Sequence, residues 1–233
     1  MKSLLLMSSS RNHAHPTYLE HGLDWLKQHF ENKQVVFIPY AGVSMAHQDY
    51  TKTVGTAFEK AEIELRGIES FSNPRKAIES AEAVAVGGGN TFMLLNLIYE
   101  NGIYDPLKDR INNGMPYAGW SAGSNIAGPS IRTTNDMPII QPRSFSALNA
   151  VPFQLNPHYT NATPPGHRGE TRSQRIHEFM HVDNHTPIIG IAEGTALHIQ
   201  NSKMTLLGED SGVLFENFKE TELKPSRDLS YLL

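Results

Sequence analysis

The pentapeptide Gly119-Trp120-Ser121-Ala122-Gly123 carries the most direct chemistry in the chain. It has the form G-x-S-x-G and follows a short run of strand character at residues 116–118. In a nucleophile elbow of this form the serine sits on a tight strand-to-helix turn, glycines on either side relieve crowding, and the hydroxyl projects from the sheet edge. The backbone N–H of Ala122 then helps to stabilise an oxyanion. G-x-S-x-G also arises by chance in many sequences. The strand before it and the small-residue run 122–127 after it favour the elbow here.

A serine nucleophile needs a second oxyanion donor, a base, and a group that orients the base. Gly87-Gly88-Gly89-Asn90 can supply the donor, since glycines allow close backbone approach and Asn90 is a good cap for a following helix. The competing reading is a phosphate loop, but the run is not G-x-G-x-x-G in full and no P-loop lysine follows. Any one of the eleven histidines, taken alone, is a surface or packing residue. His158 leads because Asn156-Pro157-His158-Tyr159 stands where a loop leaves a short strand, the usual place for site residues in open α/β sheets. Two carboxylates compete to orient it. Asp136, in the loop after the elbow, gives the order Ser, Asp, His; Glu193, at the end of the apolar run 188–192, gives Ser, His, Glu.

Thr171-Arg172-Ser173-Gln174 has the form of a capping box, with Thr171 as N-cap. Arg172 then falls in the first helical turn, where the helix dipole disfavours a cation by a few tenths of a kcal/mol. A carboxylate partner, such as a substrate, would explain it; an ordinary solvated or internally paired arginine is the plainer alternative. His177-Glu178-Phe179-Met180-His181 is a literal H-E-x-x-H, the pattern of zinc peptidases. Against zinc stand the apolar face made by Ile176, Phe179 and Met180, the Pro187 that ends the helix soon after, and the missing metzincin glycine. The expectation is no metal and no cofactor.

These residues must be positioned by a fold, and the bulk properties bound it. With 233 residues, 39% hydrophobic and 19% charged, the chain has enough apolar surface for one sizeable core. A net charge of −4 and scattered Lys and Arg argue against a nucleic-acid partner. With no cysteine there is no disulfide, thiol nucleophile or thiolate-bound metal. The five-residue apolar run near the N-terminus is too short for a secretory leader, and no segment approaches the ~20 apolar residues of a membrane span. The expectation is cytoplasmic residence with no membrane partner.

Apolar runs of strand length alternate with helical periods, the pattern of βαβ units and a largely parallel sheet. Strands are expected at Ser3–Met7, Val35–Ile38, 63–68, Ala83–Val86, 116–118, 153–155 and 188–192. Helices are expected through Leu19, Leu23, Leu26 and Phe30, through Val54, Ala57, Phe58 and Ala61, at 74–81, through Met93, Leu94, Leu97 and Ile98, around 104–113, and at 172–181. Residues 196–200 and 205–207 read as a hairpin, 213–218 as a last strand, 128–151 as a long loop, and the tail after Lys219 as polar and unpatterned. One domain over 1–233 is the economical organisation.

The chain resembles peptidase E, the aspartyl dipeptidase family. The resemblance rests on Ile38-Pro39-Tyr40-Ala41-Gly42, Val86-Gly87-Gly88-Gly89-Asn90-Thr91-Phe92, the Ser121 motif and Ile131-Arg132-Thr133-Thr134-Asn135-Asp136-Met137-Pro138. It continues through Asn156-Pro157-His158-Tyr159-Thr160-Asn161, Gly169-Glu170-Thr171-Arg172 and Glu193-Gly194. It implies an α/β, flavodoxin-like fold of the class I glutamine amidotransferase kind: a mostly parallel sheet, helices on both faces, and here a C-terminal β-hairpin region. It implies metal-free hydrolysis of dipeptides with an N-terminal aspartate, by a monomer or homodimer acting on a small acidic dipeptide. By motif, Ser121 is the nucleophile, His158 the base, Gly89 and Ala122 the oxyanion donors, and Arg172 the ligand of the substrate carboxylate. Glu193 is the preferred orienter by fold analogy, and Asp136 is a required residue without an assigned role. The rivals are a cyanophycin hydrolase-like serine peptidase, a zinc peptidase on His177 and His181, and a non-catalytic binding module.

Overall fold

The computed structural model describes residues 1–163, 165, 166 and 168–233. Five short strands form the parallel part of a seven-stranded sheet: β1 (Ser3–Met7), β2 (Val35–Ile38), β3 (Leu65–Gly67), β4 (Ala83–Val86) and β5 (Tyr117–Trp120). Their order is β3-β2-β4-β5-β1. Beyond β1 the hairpin β8 (Ala196–Gln200) and β9 (Lys203–Leu207) adds two antiparallel strands. Apart from exposed Arg66 in β3 and half-buried Ser3 and Leu65, every residue of the parallel strands is buried. That explains their unbroken apolar runs, because both faces of the sheet are covered.

Side chains alternate across the sheet. Leu4 and Leu6 of β1 enter one core, Leu5 and Met7 the other. On the second face lie α1 (Leu23–Phe30) and α2 (His47–Lys60), through Leu26, Phe30, Val54 and Phe58. On the first lie α3 (Pro74–Ser80), α4 (Thr91–Glu100), α5 (Tyr104–Asn112) and the short α6 (Ala122–Asn125). Asn73 caps α3, its side chain accepting from the Lys76 N–H ahead of Pro74 in the first turn, as its sequence indicates.

The region after α6 is more sheet-rich than its sequence suggests. A second, four-stranded sheet has the order β11-β10-β7-β6, from β6 (Gln154–Asn156), β7 (Ile188–Gly190), β10 (Gly212–Glu216) and β11 (Lys219–Leu223). The start of the tail, expected to be unpatterned, is thus an edge strand as far as Leu223. Its Lys219, Glu220, Thr221 and Glu222 are exposed and only Leu223 is buried, so no apolar alternation marked it. Leu155, Ile189 and Leu214 of this sheet join the first core. Ile188 and Phe215 pack instead with Ile176 and Met180 of α7 (Arg172–Val182). The segment 128–151 holds only the bridge between Ser130 and Ser146, in line with the expected long loop. Among the described residues, no helix is long and apolar enough to cross a membrane.

His29, on α1, is buried against β5, with Nε2 3.1 Å from the Tyr117 carbonyl and Nδ1 without a partner among the described residues. Burial, reinforced by nearby His198, lowers its pKa from 6.5 to about 3. The folded value lies below the unfolded one, so the contribution is complete above pH 6.5 and is lost as pH falls from 6.5 toward 3. Each proton taken up on unfolding adds a slope of about 1.4 kcal/mol per pH unit. His29→Gln is therefore expected to flatten the loss of stability between pH 7 and pH 4 in urea titrations. Parallel pH dependences in the two proteins would refute this.

Candidate active site

β5 lies between β4 and β1, and Ser121 is the residue at which it turns into α6. Its φ of 54° and ψ of −113° lie in a region that L-residues avoid, at a cost of about 1–3 kcal/mol. The surroundings hold it there. The Ser121 N–H donates to the Met7 carbonyl at 3.1 Å, and the Ser121 carbonyl accepts from the Ser124 and Asn125 N–H groups at 3.0 and 2.9 Å. The flanking glycines are steric requirements. A Cβ on Gly119 would stand 2.4 Å from the Gly123 carbonyl oxygen, and one on Gly123 would stand 2.2 Å from that of Val86.

The glycine-rich loop after β4 abuts this elbow, and each of its glycines makes room for a different neighbour. A Cβ on Gly87 would meet the Tyr50 hydroxyl at 2.6 Å, one on Gly88 the Ser121 Cβ at 3.0 Å, and one on Gly89 the Ala41 carbonyl oxygen at 2.2 Å. Gly89 also has φ of +137°, a conformation that only glycine adopts readily. Gly87 and Asn90 donate their N–H groups to the Ile38 and Ala41 carbonyls at 3.1 and 2.9 Å. Among the described residues the Gly89 and Ala122 N–H groups have no partner, as oxyanion donors require.

Ser121, Gly88, Gly89 and His158 all line one cleft of about 550 Å³, with Tyr18, Tyr50, Trp120 and an apolar rim of Val43, Met45 and Ile139. His158 reaches it from the loop after β6. Its φ of 55° is left-handed, and its N–H donates to the buried Ser8 hydroxyl at 2.8 Å, which itself donates to the Ile191 carbonyl at 2.8 Å. The His158 Nδ1 lies 2.7 Å from Glu193 Oε1. Glu193 stands just past β7, where Gly194 donates its N–H to the Ser9 hydroxyl at 3.2 Å. The end of β1 thus ties down both loops. With Nδ1–H donated to Glu193, the neutral ring keeps Nε2 as an acceptor.

The two carboxylates have different partners in the structure. Asp136, expected among the catalytic residues, does not accompany His158. Its Oδ2 accepts from the Thr91 N–H at 2.7 Å, the Thr91 hydroxyl at 2.6 Å and the Thr134 hydroxyl at 3.2 Å. It satisfies the open N-terminus of α4, while Asn90 caps the same turn through the Met93 N–H and donates to the Met137 carbonyl. Asp136 therefore anchors the 131–138 loop beside the glycine-rich loop.

Arg172 sits in the first turn of α7, behind the capping box that Thr171 and Gln174 form. Its Nη1 donates to Asn156 Oδ1 at 3.2 Å, two residues before His158. Among the described residues it makes no ion pair and is not part of the cleft wall. Burial and then Arg175 pull its pKa down. His177 and His181 both pack against Phe218, at ring-centroid distances of 6.5 and 4.8 Å, and His177 Nε2 lies 3.8 Å from Glu220. Among the described residues no cluster of three or more His, Cys, Asp or Glu is placed to hold a metal ion.

Three residues that line or support the cleft escape sequence reasoning. Tyr18 and Tyr50 are ordinary aromatic residues near or within helices, and Ser8 is one of three serines ending a strand. No spacing marks them, because their partners are more than thirty residues away in the chain.

A model of peptidase family S51 matches residues 4–207. A protein named peptidase E from Shewanella sp. (strain ANA-3) is 49% identical over 231 residues, covering 98% of each chain. Another of that name from Shewanella denitrificans is 48% identical over 231 residues, again 98% of each. A solved structure from Listeria monocytogenes EGD-e superposes with a TM-score of 0.69 at 25% identity, over 90% of this chain and 100% of that one. A peptidase from an acI-B1 Actinobacterium, at 15% identity, shares the fold with a TM-score of 0.72 over 98% and 96%.

The two carboxylates should separate by experiment. Glu193→Gln is expected to slow fluorophosphonate labelling of Ser121 by on the order of 10³-fold or more, with stability little changed. Asp136→Ala is expected to lower unfolding stability by about 1–2 kcal/mol while labelling slows less than about tenfold. Equal losses of labelling in the two variants would contradict the assignment.

Proposed function

The chain belongs to peptidase family S51, and from that premise we propose that it hydrolyses dipeptides with an N-terminal aspartate through an acyl-enzyme on Ser121. One observation carries the proposal: a serine held in a strained elbow shares a cleft with a histidine whose far nitrogen is bound to a carboxylate. In the first step His158 Nε2 accepts the Ser121 proton as Oγ attacks the aspartyl carbonyl, and the Gly89 and Ala122 N–H groups hold the oxyanion. Glu193 stabilises the imidazolium that forms. That imidazolium returns its proton to the leaving amine, and the amino acid departs. Water, deprotonated by the same histidine, then attacks the acyl-serine, and free aspartate leaves with Ser121 reprotonated.

Arg172 supplies the selectivity in this reading. A half-buried guanidinium without a carboxylate partner among the described residues has lost part of its hydration without a charge to replace it. The side-chain carboxylate of the substrate would complete it with bidentate, charge-assisted bonds. Asn156, which holds Nη1, would keep the fork in register with His158. The same reading makes a small acidic dipeptide the partner, in the cytoplasm.

Hydrolysis of Asp-Leu, Asn-Leu, Glu-Leu and longer aspartyl peptides tests this directly. Asp-Leu is expected to exceed Asn-Leu by roughly 10–100-fold in kcat/KM, the worth of a hydrogen bond to a charged group at ~1.5–3 kcal/mol. Arg172→Ala is expected to remove most of that preference, and Arg172→Lys to restore little of it, because an ammonium lacks the planar fork. Full Asp-Leu turnover by Ser121→Ala, or equal turnover of Asp-Leu and Asn-Leu, would overturn the proposal.

A further inference from the structure

A chain of hydroxyls runs from the elbow to the glycine-rich loop. The Trp120 Nε1–H donates to the Tyr18 hydroxyl at 2.9 Å, and the Tyr18 and Tyr50 hydroxyls lie 2.9 Å apart. The Tyr50 hydroxyl donates to the Gly88 carbonyl at 3.0 Å. A phenol has one proton to give. Because Tyr50 gives its proton to Gly88, the Tyr18 proton must go to Tyr50, and the chain has one direction: Trp120, whose N–H also reaches the Tyr50 hydroxyl at 3.3 Å, to Tyr18 to Tyr50 to Gly88. Burial raises the pKa of both phenols, so both remain donors at alkaline pH.

The direction matters because the Gly88 carbonyl and the Gly89 N–H belong to one peptide unit. That unit is planar and trans, so the two groups point in opposite directions. Fixing the carbonyl fixes the N–H. Glycines on both sides otherwise leave this unit free to rotate, since neither has a Cβ to restrict it. The Gly88 carbonyl takes its hydrogen bond from no backbone donor among the described residues; the Tyr50 hydroxyl supplies it. Tyr50 is itself held rigidly: its ring packs edge-on to Phe37 at a centroid distance of 5.2 Å, and Gly42 and Gly87 leave the slot it occupies.

We propose that Tyr50 is a positioning residue of the reaction, holding the Gly88 carbonyl so that the Gly89 N–H is aimed at the oxyanion, with Tyr18 and Trp120 ordering its hydroxyl. Trp120 precedes the nucleophile directly, so one hydrogen-bonded chain sets the register of both halves of the oxyanion site. The inference rests on the acyl-enzyme reading given above. It explains why the residue between Gly119 and Ser121 carries a ring N–H and why two tyrosines from distant helical regions meet in the cleft wall.

The test is Asp-Leu hydrolysis by Tyr50→Phe, together with the Ki of an aspartyl aldehyde, which adds to a serine nucleophile as a tetrahedral, oxyanion-bearing adduct. Phe keeps the ring packing and removes the hydroxyl that donates to Gly88 and accepts from Tyr18. Losing one oxyanion donor outright costs about 10²–10³-fold in kcat; a donor present but misaimed is expected to cost roughly 10–100-fold. KM should stay within about twofold, and the aldehyde Ki should rise by the same factor as kcat falls. Tyr50→p-aminophenylalanine keeps a donor on the same ring and is expected to recover most of kcat. An unchanged kcat in Tyr50→Phe, a loss carried by KM with the aldehyde Ki unmoved, or a p-amino variant as impaired as Phe would overturn the role. A fully active Ser121→Ala would instead overturn the acyl-enzyme reading beneath it, so the two failures are distinguishable.

Discussion

The turn at Ser121 is the constraint on which the rest of the architecture depends. A side chain must point out of the sheet edge at a backbone conformation that costs energy, and nothing local makes that conformation favourable. It persists because the chain on either side is over-determined. β5 is paired on both edges, α6 packs against β4 with no room for a Cβ at Gly123, and three backbone hydrogen bonds close on Ser121 itself. The elbow is therefore tolerated only at the centre of a sheet buried on both faces.

From that point the site is assembled by short bonds between elements far apart in sequence. β1 lies beside β5, and the serines just past its end reach both loops of the second sheet: Ser8 takes the His158 N–H and Ser9 takes the Gly194 N–H. The second sheet thus brings His158, with Glu193 bonded to it, to the cleft that holds Ser121, and β1 sets their register. On the other side Asp136 and Asn90 satisfy the N-terminus of α4 and hold the loops at residues 87–90 and 131–138 together. The side chains with the clearest chemistry are few; those that fix their geometry are mostly serines, threonines, asparagines and tyrosines bonded to backbone.

That division explains what was legible in the sequence. The parallel strands were readable because burial on both faces leaves unbroken apolar runs, and the Asn73 and Thr171 caps because their partners lie three residues on. G-x-S-x-G was readable because Gly119 answers a steric demand within five residues, while Gly123 makes room for the Val86 carbonyl. β11 was not, since an exposed edge strand carries no apolar alternation. Asp136 was a candidate because its loop follows the elbow and carries the Asn-Asp-Met-Pro block, and the bond from its carboxylate to Thr91 spans forty-five residues that leave no signal in the sequence. H-E-x-x-H had the right spacing for two metal ligands, but Phe218, forty-one and thirty-seven residues away in the chain, receives both rings. Hydrogen bonds that cross thirty residues or more leave no periodic signal, and Tyr18, Tyr50 and Ser8 are of that kind.

In the proposed reaction Ser121 forms a covalent bond to the acyl group of an aspartyl dipeptide. Acid quenching during Asp-Leu turnover, with intact-mass measurement and peptide mapping, reads this directly. An acyl-enzyme predicts a species heavier by one aspartyl residue, with the added mass on the peptide that contains Ser121, accumulating further when deacylation is slowed. Turnover with no adduct in either condition, or an adduct on any other residue, would contradict it.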